Sequence, residues 1–406
     1  MKAWPSATDV GTVLRDLRSD GRGWILLFIA GGWFFSLGVR LTFPPLLPYI
    51  RAELGMSLTG AGLLITALWL AYALGQFPGG MFRDRIGDRN VLVVSTAVSA
   101  VTLLGIARAS TVATLFAATM LFGFGTALFG TARFTVLADT YERRDGVAIG
   151  LTMAAGNAGN VVLPVCGALI ATYAAWRVGF GLAAPFFLVF AVGLWWAIPG
   201  KAADSTSAVD TLSVEALRRV FAGVARRPVL VMTGVVLLIH FTWQGFTGFY
   251  PTYLVERKGL APNTAAGLYG LFFALGIVIQ PLAGAGSDRF GARPVLLGAI
   301  SMTVLTLGSL PFVDGLGPLI MLTALSSAVL GVVPVANAYL VAALPTDVQG
   351  SGLGLMRTVY ITCGSAGPVI VGAVADGGYF DWAFPLLAAV SAGAILLCLS
   401  LPPRAP

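Results

Sequence analysis

Gly80-Met81-Phe82-Arg83-Asp84-Arg85-Ile86-Gly87-Asp88-Arg89 returns later in the chain as Gly284-Ala285-Gly286-Ser287-Asp288-Arg289-Phe290-Gly291-Ala292-Arg293. Asp84 and Asp288 stand 204 residues apart in a chain of 406, so the interval is half the protein. Each copy joins two long apolar runs. A short charged joint repeated at that distance predicts two similar membrane bundles in tandem.

Hydrophobic residues make up 57% of the sequence, charged residues 11%, and mean hydropathy is +0.87. Soluble domains carry roughly 45 to 50% and 25%, so a soluble fold is excluded. Crossing a bilayer as a helix takes roughly 20 mostly apolar residues, and twelve such stretches can be laid out: 24–48, 59–82, 90–108, 112–138, 146–174, 177–198, 228–255, 263–286, 294–312, 316–344, 350–375 and 382–401. The expected fold is an all-α polytopic membrane protein of two pseudo-symmetric six-helix bundles, residues 24–199 and 228–406. Residues 1–23 read as a short surface helix on the cytoplasmic side, because no apolar core separates Lys2 from Arg22 as a cleavable signal would require. Residues 200–227, which begin Gly200-Lys201-Ala202-Ala203-Asp204 and turn amphipathic from Val214, read as a cytoplasmic linker.

Basic loops resist translocation. With both termini cytoplasmic, seventeen Lys and Arg fall in inner segments and five in outer ones, and both cassettes face the cytoplasm. The expected location is therefore a cell membrane, the inner one where there are two, crossed many times. The net charge of +7 is spread over these joints facing anionic lipid, which argues against a nucleic-acid partner. Cys166, Cys363 and Cys398 all lie in apolar spans and give no disulfide framework.

The cassettes resemble the Gly-x-x-x-Asp-Arg-x-Gly-Arg/Lys-Arg/Lys loop of the major facilitator superfamily, which joins the second and third helices of each half. The resemblance covers the whole chain and implies a secondary transporter working by alternating access. It departs at Asp88 and Ala292, where a basic residue is usual. On the residues alone, Gly80 and Gly87 permit close packing and a sharp turn, Asp84 can accept bonds from a helix N-terminus, and Arg85 and Arg89 hold the loop at the headgroups. Gly284, Asp288, Arg289, Gly291 and Arg293 are set out in the same way. The pair reads as a conformational latch, against the plainer reading of positive-inside anchors. A second repeat, Gly156-Asn157-Ala158-Gly159 against Gly364-Ser365-Ala366-Gly367, places small residues on the fifth and eleventh spans, where helices can approach closely.

All eighteen acids fall in loops, termini or span ends, whereas Arg40, Arg133 and Arg357 fall inside spans. Ionised side chains in a membrane usually face a watery cavity and serve function. Cations without anions there point to a negatively charged cargo. Arg40 lies about sixteen residues, roughly 24 Å, along the first helix from Trp24, where a guanidinium can grip a carboxylate or phosphate through two parallel bonds. Snorkelling, or bonding to carbonyls freed by Pro44, Pro45 and Pro48, is the alternative. Arg40 also resembles the first-helix arginine of the organic-anion and organophosphate branches of the superfamily, including a proline eight positions on. Organophosphate exchangers of this pattern carry a matching arginine in the seventh helix. A shift of 203 or 204 from Arg40 lands instead on Trp243 or Gln244, which implies a cargo with one main anionic group.

His240, Gln244 and Thr247 share a face of the seventh span, flanked by Trp243 and Tyr250. These five complete the expected substrate site. His240, the only histidine in the chain, is the candidate for carrying a proton, against the alternative of a neutral core histidine. Arg133 and Arg357 read as an inner vestibule drawing anions in, as gates paired with Asp139, Glu142 or Asp347, or as snorkelling residues. Asn337, with Asn157 and Asn160, reads as a weaker contact. One histidine, three isolated cysteines, no zinc spacing and no P-loop exclude the parts of hydrolytic or metal chemistry, so no enzyme activity, cofactor or metal is expected. The expected partners are a small-molecule anion, the lipid bilayer and, for symport, protons; the expected unit is a monomer. Efflux of hydrophobic drugs or other neutral compounds is the alternative, favoured by Trp33, Phe34, Trp69, Trp243 and Phe246.

Overall fold

The computed structural model describes residues 17, 21–142, 144–200, 214–346 and 348–402, with main chain alone at 77–81, 84, 131, 214–217 and 220. Among these residues there is no strand. The first bundle comprises α1 (Arg22–Leu54), α2 (Leu58–Ile86), α3 (Asp88–Ala107), α4 (Val112–Thr140), α5 (Asp145–Tyr173) and α6 (Trp176–Ala197). The second comprises α7 (Arg227–Glu256), α8 (Pro262–Phe290), α9 (Ala292–Ser309), α10 (Leu316–Ala343, with a 3-10 segment at Ser327–Gly331), α11 (Gln349–Gly364 and Ala366–Val374) and α12 (Phe380–Leu399). Eleven helical stretches are long and apolar enough to cross a membrane. One of them, Gln349–Leu399, holds two crossings, because the chain reverses at Gly378, whose φ of 85° suits only glycine. The N-terminal surface helix falls outside the described residues apart from 17 and 21–23. Of the linker, 201–213 falls outside them and Val214–Val224 is helical.

The cassettes take one conformation twice. Gly87 ends α2 at φ 81°, ψ 155°, and Gly291 ends α8 at φ 89°, ψ 159°, a region essentially closed to residues with a Cβ. Each glycine N–H then closes the preceding helix, Gly87 onto the Arg83 carbonyl (2.8 Å) and Gly291 onto that of Ser287 (2.9 Å). Asp88 sits in the first turn of α3, where a negative charge suits the helix dipole, and its Oδ1 is 4.0 Å from Arg83 Nε. That placement explains an acid where the superfamily pattern has a base. Arg89 lies 3.8 Å from the Trp195 ring centroid, and Arg293 donates to the Leu401 carbonyl at 3.2 Å. Asp288 bonds no described donor, and the Asp84 side chain lies outside the described atoms. Gly80, Arg85, Gly284 and Arg289 share these helix ends.

The prolines do not end the first helix. α1 runs through Pro44, Pro45 and Pro48 to Leu54, six residues beyond the expected span, and α7 runs through Pro251. Pro44 removes the helical bond to the Arg40 carbonyl, and Pro251 removes the one to the Thr247 carbonyl. Dense burial of Phe43, Leu46, Leu47 and Ile50 holds the helix together past the break.

Glycines fix how α1 meets α5 and how α7 meets α11. A Cβ on Gly159 would stand 2.9 Å from the Phe34 carbonyl carbon, and one on Gly38 would stand 2.7 Å from that of Gly159. In the second bundle a Cβ on Gly364 would meet the His240 ring at 2.6 Å, and one on Gly367 would meet Gly245 N at 2.8 Å. Matching these contacts pairs Trp33 with His240, Phe34 with Phe241, Gly38 with Gly245 and Pro44 with Pro251, a shift of 207 between α1 and α7. The counterpart of Arg40 is therefore Thr247. The shift of 204 holds at the cassettes, but three fewer residues separate the second cassette from the seventh helix than separate the first cassette from the first helix, so carrying it to Arg40 misplaces the match by nearly one turn.

The two bundles are tied at the end opposite the cassettes. Asp376 accepts from Leu58 N (2.9 Å) and Thr59 N (2.7 Å), capping the exposed N-terminus of α2 from the other bundle. Arg51 pairs with Glu256, Thr172 donates to Asn263 Oδ1 (2.9 Å), and Thr66 donates to the Ser365 carbonyl (2.6 Å). Gly62 approaches Val369 and Gly372 approaches Thr59, so α2 and α11 cross at backbone distance.

Candidate functional site

A cavity of about 290 Å3 lies between the bundles. Helical spacing builds its walls: Trp33, Leu37 and Arg40 form one face of α1, Trp69 and Tyr72 one of α2, Asn157 and Asn160 one of α5, and Arg357, Tyr360 and Ile361 one of α11. His240 and Trp243 enter from α7, Phe273 and Gln280 from α8, and Val333 and Pro334 from α10. Trp69 and Trp243 meet edge to face at 5.9 Å, a direct aromatic contact between the bundles.

Arg40 is 1% exposed. Its Nε donates to the Ser36 carbonyl at 2.9 Å, which anchors the head, while neither terminal nitrogen makes a hydrogen bond of good geometry, the Tyr72 side chain lying within polar reach. The guanidinium lies 3.9 Å from the Tyr72 ring centroid, 5.2 Å from Trp69 and 5.7 Å from Trp33. Aromatic faces stabilise a cation without neutralising it. No snorkelling occurs: the head points into the protein, and the freed carbonyl of its own residue is not its partner.

Arg133 is also 1% exposed, donates to the Gly130 carbonyl at 2.8 Å and stacks 3.5 Å from the Trp33 centroid. Trp33 therefore lies within cation–π distance of two guanidinium groups. Arg133 forms no ion pair with a described acid, so of its three expected roles the geometry shows neither a carboxylate gate nor a snorkelling chain. Arg357 lines the cavity, is exposed, and likewise pairs with no described acid. Asp347, one of its suggested partners, lies outside the described residues. Arg40, Arg133 and Arg357 are within Coulombic reach of one another.

The seventh-helix residues divide. His240 and Trp243 line the cavity, stacked at 5.4 Å, and His240 also meets Tyr360 at 5.1 Å. Gln244 is buried behind them with its Nε2 3.1 Å from His240 Nε2. Thr247 donates to the Trp243 carbonyl (2.7 Å), and Tyr250 bonds Thr323; both are buried away from the cavity. Asn337 on α10 is not among the lining residues, and Phe246 packs against Tyr250 and Phe272 in the core. Tyr72, Tyr360 and Gln280 were missed by sequence reasoning. The signal was present for two of them: Tyr72 is one turn from Trp69, and Tyr360 one turn from Arg357.

Among the described residues no group of three metal-binding side chains gathers. The family model described as Major Facilitator Superfamily matches residues 28–360 and 235–406. The chain belongs to the major facilitator superfamily. A probable sulfoacetate transporter of Cupriavidus necator is 27% identical, with 91% of each chain covered. A shorter match, 30% identical over 32% of this chain and 33% of the relative, is to the multi-drug resistance efflux pump PmrA of Streptococcus pneumoniae. A crystal structure of a mutant nucleoside transporter NupG superposes with a TM-score of 0.81 at 12% identity, covering 92% of this chain and 99% of that one. The superfamily member is accordingly a multi-pass membrane transporter and not an enzyme.

Proposed function

We propose that the protein is a secondary transporter that carries a small organic anion, a carboxylate in the first instance, through alternating access of the two bundles. The observation that carries this reading is Arg40: a buried guanidinium whose terminal nitrogens make no hydrogen bond of good geometry, facing a cavity whose described lining contains no acid. Leaving a charge so is costly unless a counter-ion arrives. A bidentate carboxylate satisfies both nitrogens at once. The aromatic walls of Trp33, Trp69 and Trp243 exclude water around that pair. Closure opposite the cassettes, with exposed Arg357 on the cassette side of Tyr360, supports a conformation open to the cytoplasm, with both termini on that side. The latch role of the cassettes belongs to the same proposal, since Gly87 and Gly291 set the joints that must shift when the bundles rock.

The discriminating experiment is a thermal-shift screen of the purified protein against carboxylates, sulfonates, phosphates and neutral aromatic compounds. Stabilisation by an anion class supports the reading. Stabilisation by neutral aromatics alone favours efflux of hydrophobic compounds, the second reading, which the aromatic lining and the partial likeness to a drug pump support.

We propose His240 as the proton carrier of this reading, because it lines the cavity and its ordinary pKa lies near neutrality. His240→Gln should flatten the pH dependence of uptake into liposomes while leaving exchange at fixed pH. An unaltered pH profile would assign transport to anion exchange without a proton.

A further inference from the structure

Arg357 gives the cavity a second positive end. It stands on α11, in the second bundle, while Arg40 stands on α1, in the first, and both line the one space of about 290 Å3. Neither makes an ion pair with a described residue, and nothing acidic among the described lining separates them. Thr247, the counterpart of Arg40 by the shift of 207, carries no charge, so the second cation is not the symmetry mate of the first. It is instead one turn before Tyr360, whose ring meets His240. Trp33, Trp69, Trp243 and Asn160, the last with Oδ1 unbonded, line the same space, together with Tyr72, Tyr360 and His240.

We infer that the cargo carries two anionic groups on a short carbon frame, one held by Arg40 and the other by Arg357, so that it bridges the two bundles. This rests on the anionic-cargo reading of the same cavity and departs from the expectation of one main anionic group, which followed from finding no arginine on the seventh helix. Two guanidinium groups lining one cavity repel, and the repulsion grows as the cassette side closes and water leaves. A monoanion neutralises one of them and leaves the other facing the gap. A dianion neutralises both and adds attraction between the bundles, so that binding and closure are favoured together. The volume admits frames of a few carbons.

The test compares solutes of equal length and different charge on the full-length protein. Succinate and adipate are set against butyrate and hexanoate, and ethane-1,2-disulfonate against ethanesulfonate, with affinity read from thermal-shift titration and uptake from reconstituted liposomes. The expected result is at least tenfold tighter binding of the dianion in one matched pair. Arg357→Gln should weaken that dianion at least tenfold more than it weakens the matched monoanion; Arg357→Lys should restore most of the preference. Equal binding of mono- and dianions by the wild type, or a dianion preference that survives Arg357→Gln, overturns the bridging inference and leaves the anion reading standing. Binding of neither class by the wild type overturns both.

Discussion

Arg40→Gln should abolish anion uptake while the protein stays folded. The substitution keeps a donor at the position of Nε, in reach of the Ser36 carbonyl, and removes the guanidinium head that packs on Tyr72 and Trp69. What is lost is the charge. Truncating one partner of a desolvated ion pair costs about 2 to 5 kcal/mol, a loss of roughly thirtyfold or more in affinity. The unbound protein gains in the same step, because a buried cation whose terminal nitrogens make no hydrogen bond of good geometry is removed. The unfolding midpoint without ligand should therefore be unchanged or raised, and the stabilisation by anions should vanish. Uptake by Arg40→Gln at the wild-type rate would remove the site assignment and leave only the superfamily carrier.

The second large effect is structural. Gly159→Val should give no stable, monodisperse protein, whereas Gly150→Ala on the same helix should behave as wild type or slightly better. At Gly159 a Cβ would press on the main chain of Phe34, with the Phe34 Cα only 3.2 Å away, and main chain cannot swing aside as a long side chain can. Separating α1 from α5 to admit it costs the packing of both helices, on the order of 1 to 3 kcal/mol for an ordinary overpacked site and more where backbone is struck. At Gly150 nothing lies within 4 Å, so alanine meets no neighbour and gains about 1 kcal/mol in helix propensity. Thermal unfolding and size-exclusion profiles of the two variants measure the difference. Wild-type stability of Gly159→Val would mean that α1 and α5 do not approach as closely as described. The contact matters for the site too, since Gly38 and Gly159 bring Asn157 and Asn160 alongside Arg40.

Part of the site was legible because membranes penalise charge so strongly. Three arginines inside apolar spans are conspicuous in any reading, and Arg40 and Arg357 do line the cavity. His240 and Trp243 were legible as one polar stretch of helix, but the same periodicity also drew in Thr247 and Tyr250, which face the core. Helical spacing assigns residues to a common side; it does not say which side meets a cavity and which meets another helix. Tyr72, one turn from Trp69, shares a face with it by spacing, but only the fold shows its ring under the Arg40 guanidinium.

The sequence by itself determined the membrane class, the twelve crossings, the internal repeat and the superfamily, because hydropathy, a twice-written loop and positively charged joints are local properties that survive without coordinates. Tertiary structure decided the true register between the halves, the partners of the three arginines and the ties opposite the cassettes. Those depend on close backbone approaches, such as Gly159 on Phe34 and Asp376 on the start of α2, between residues more than a hundred positions apart. Only the folded packing shows which groups stand next to each other, and a buried charge acquires its meaning from its neighbours.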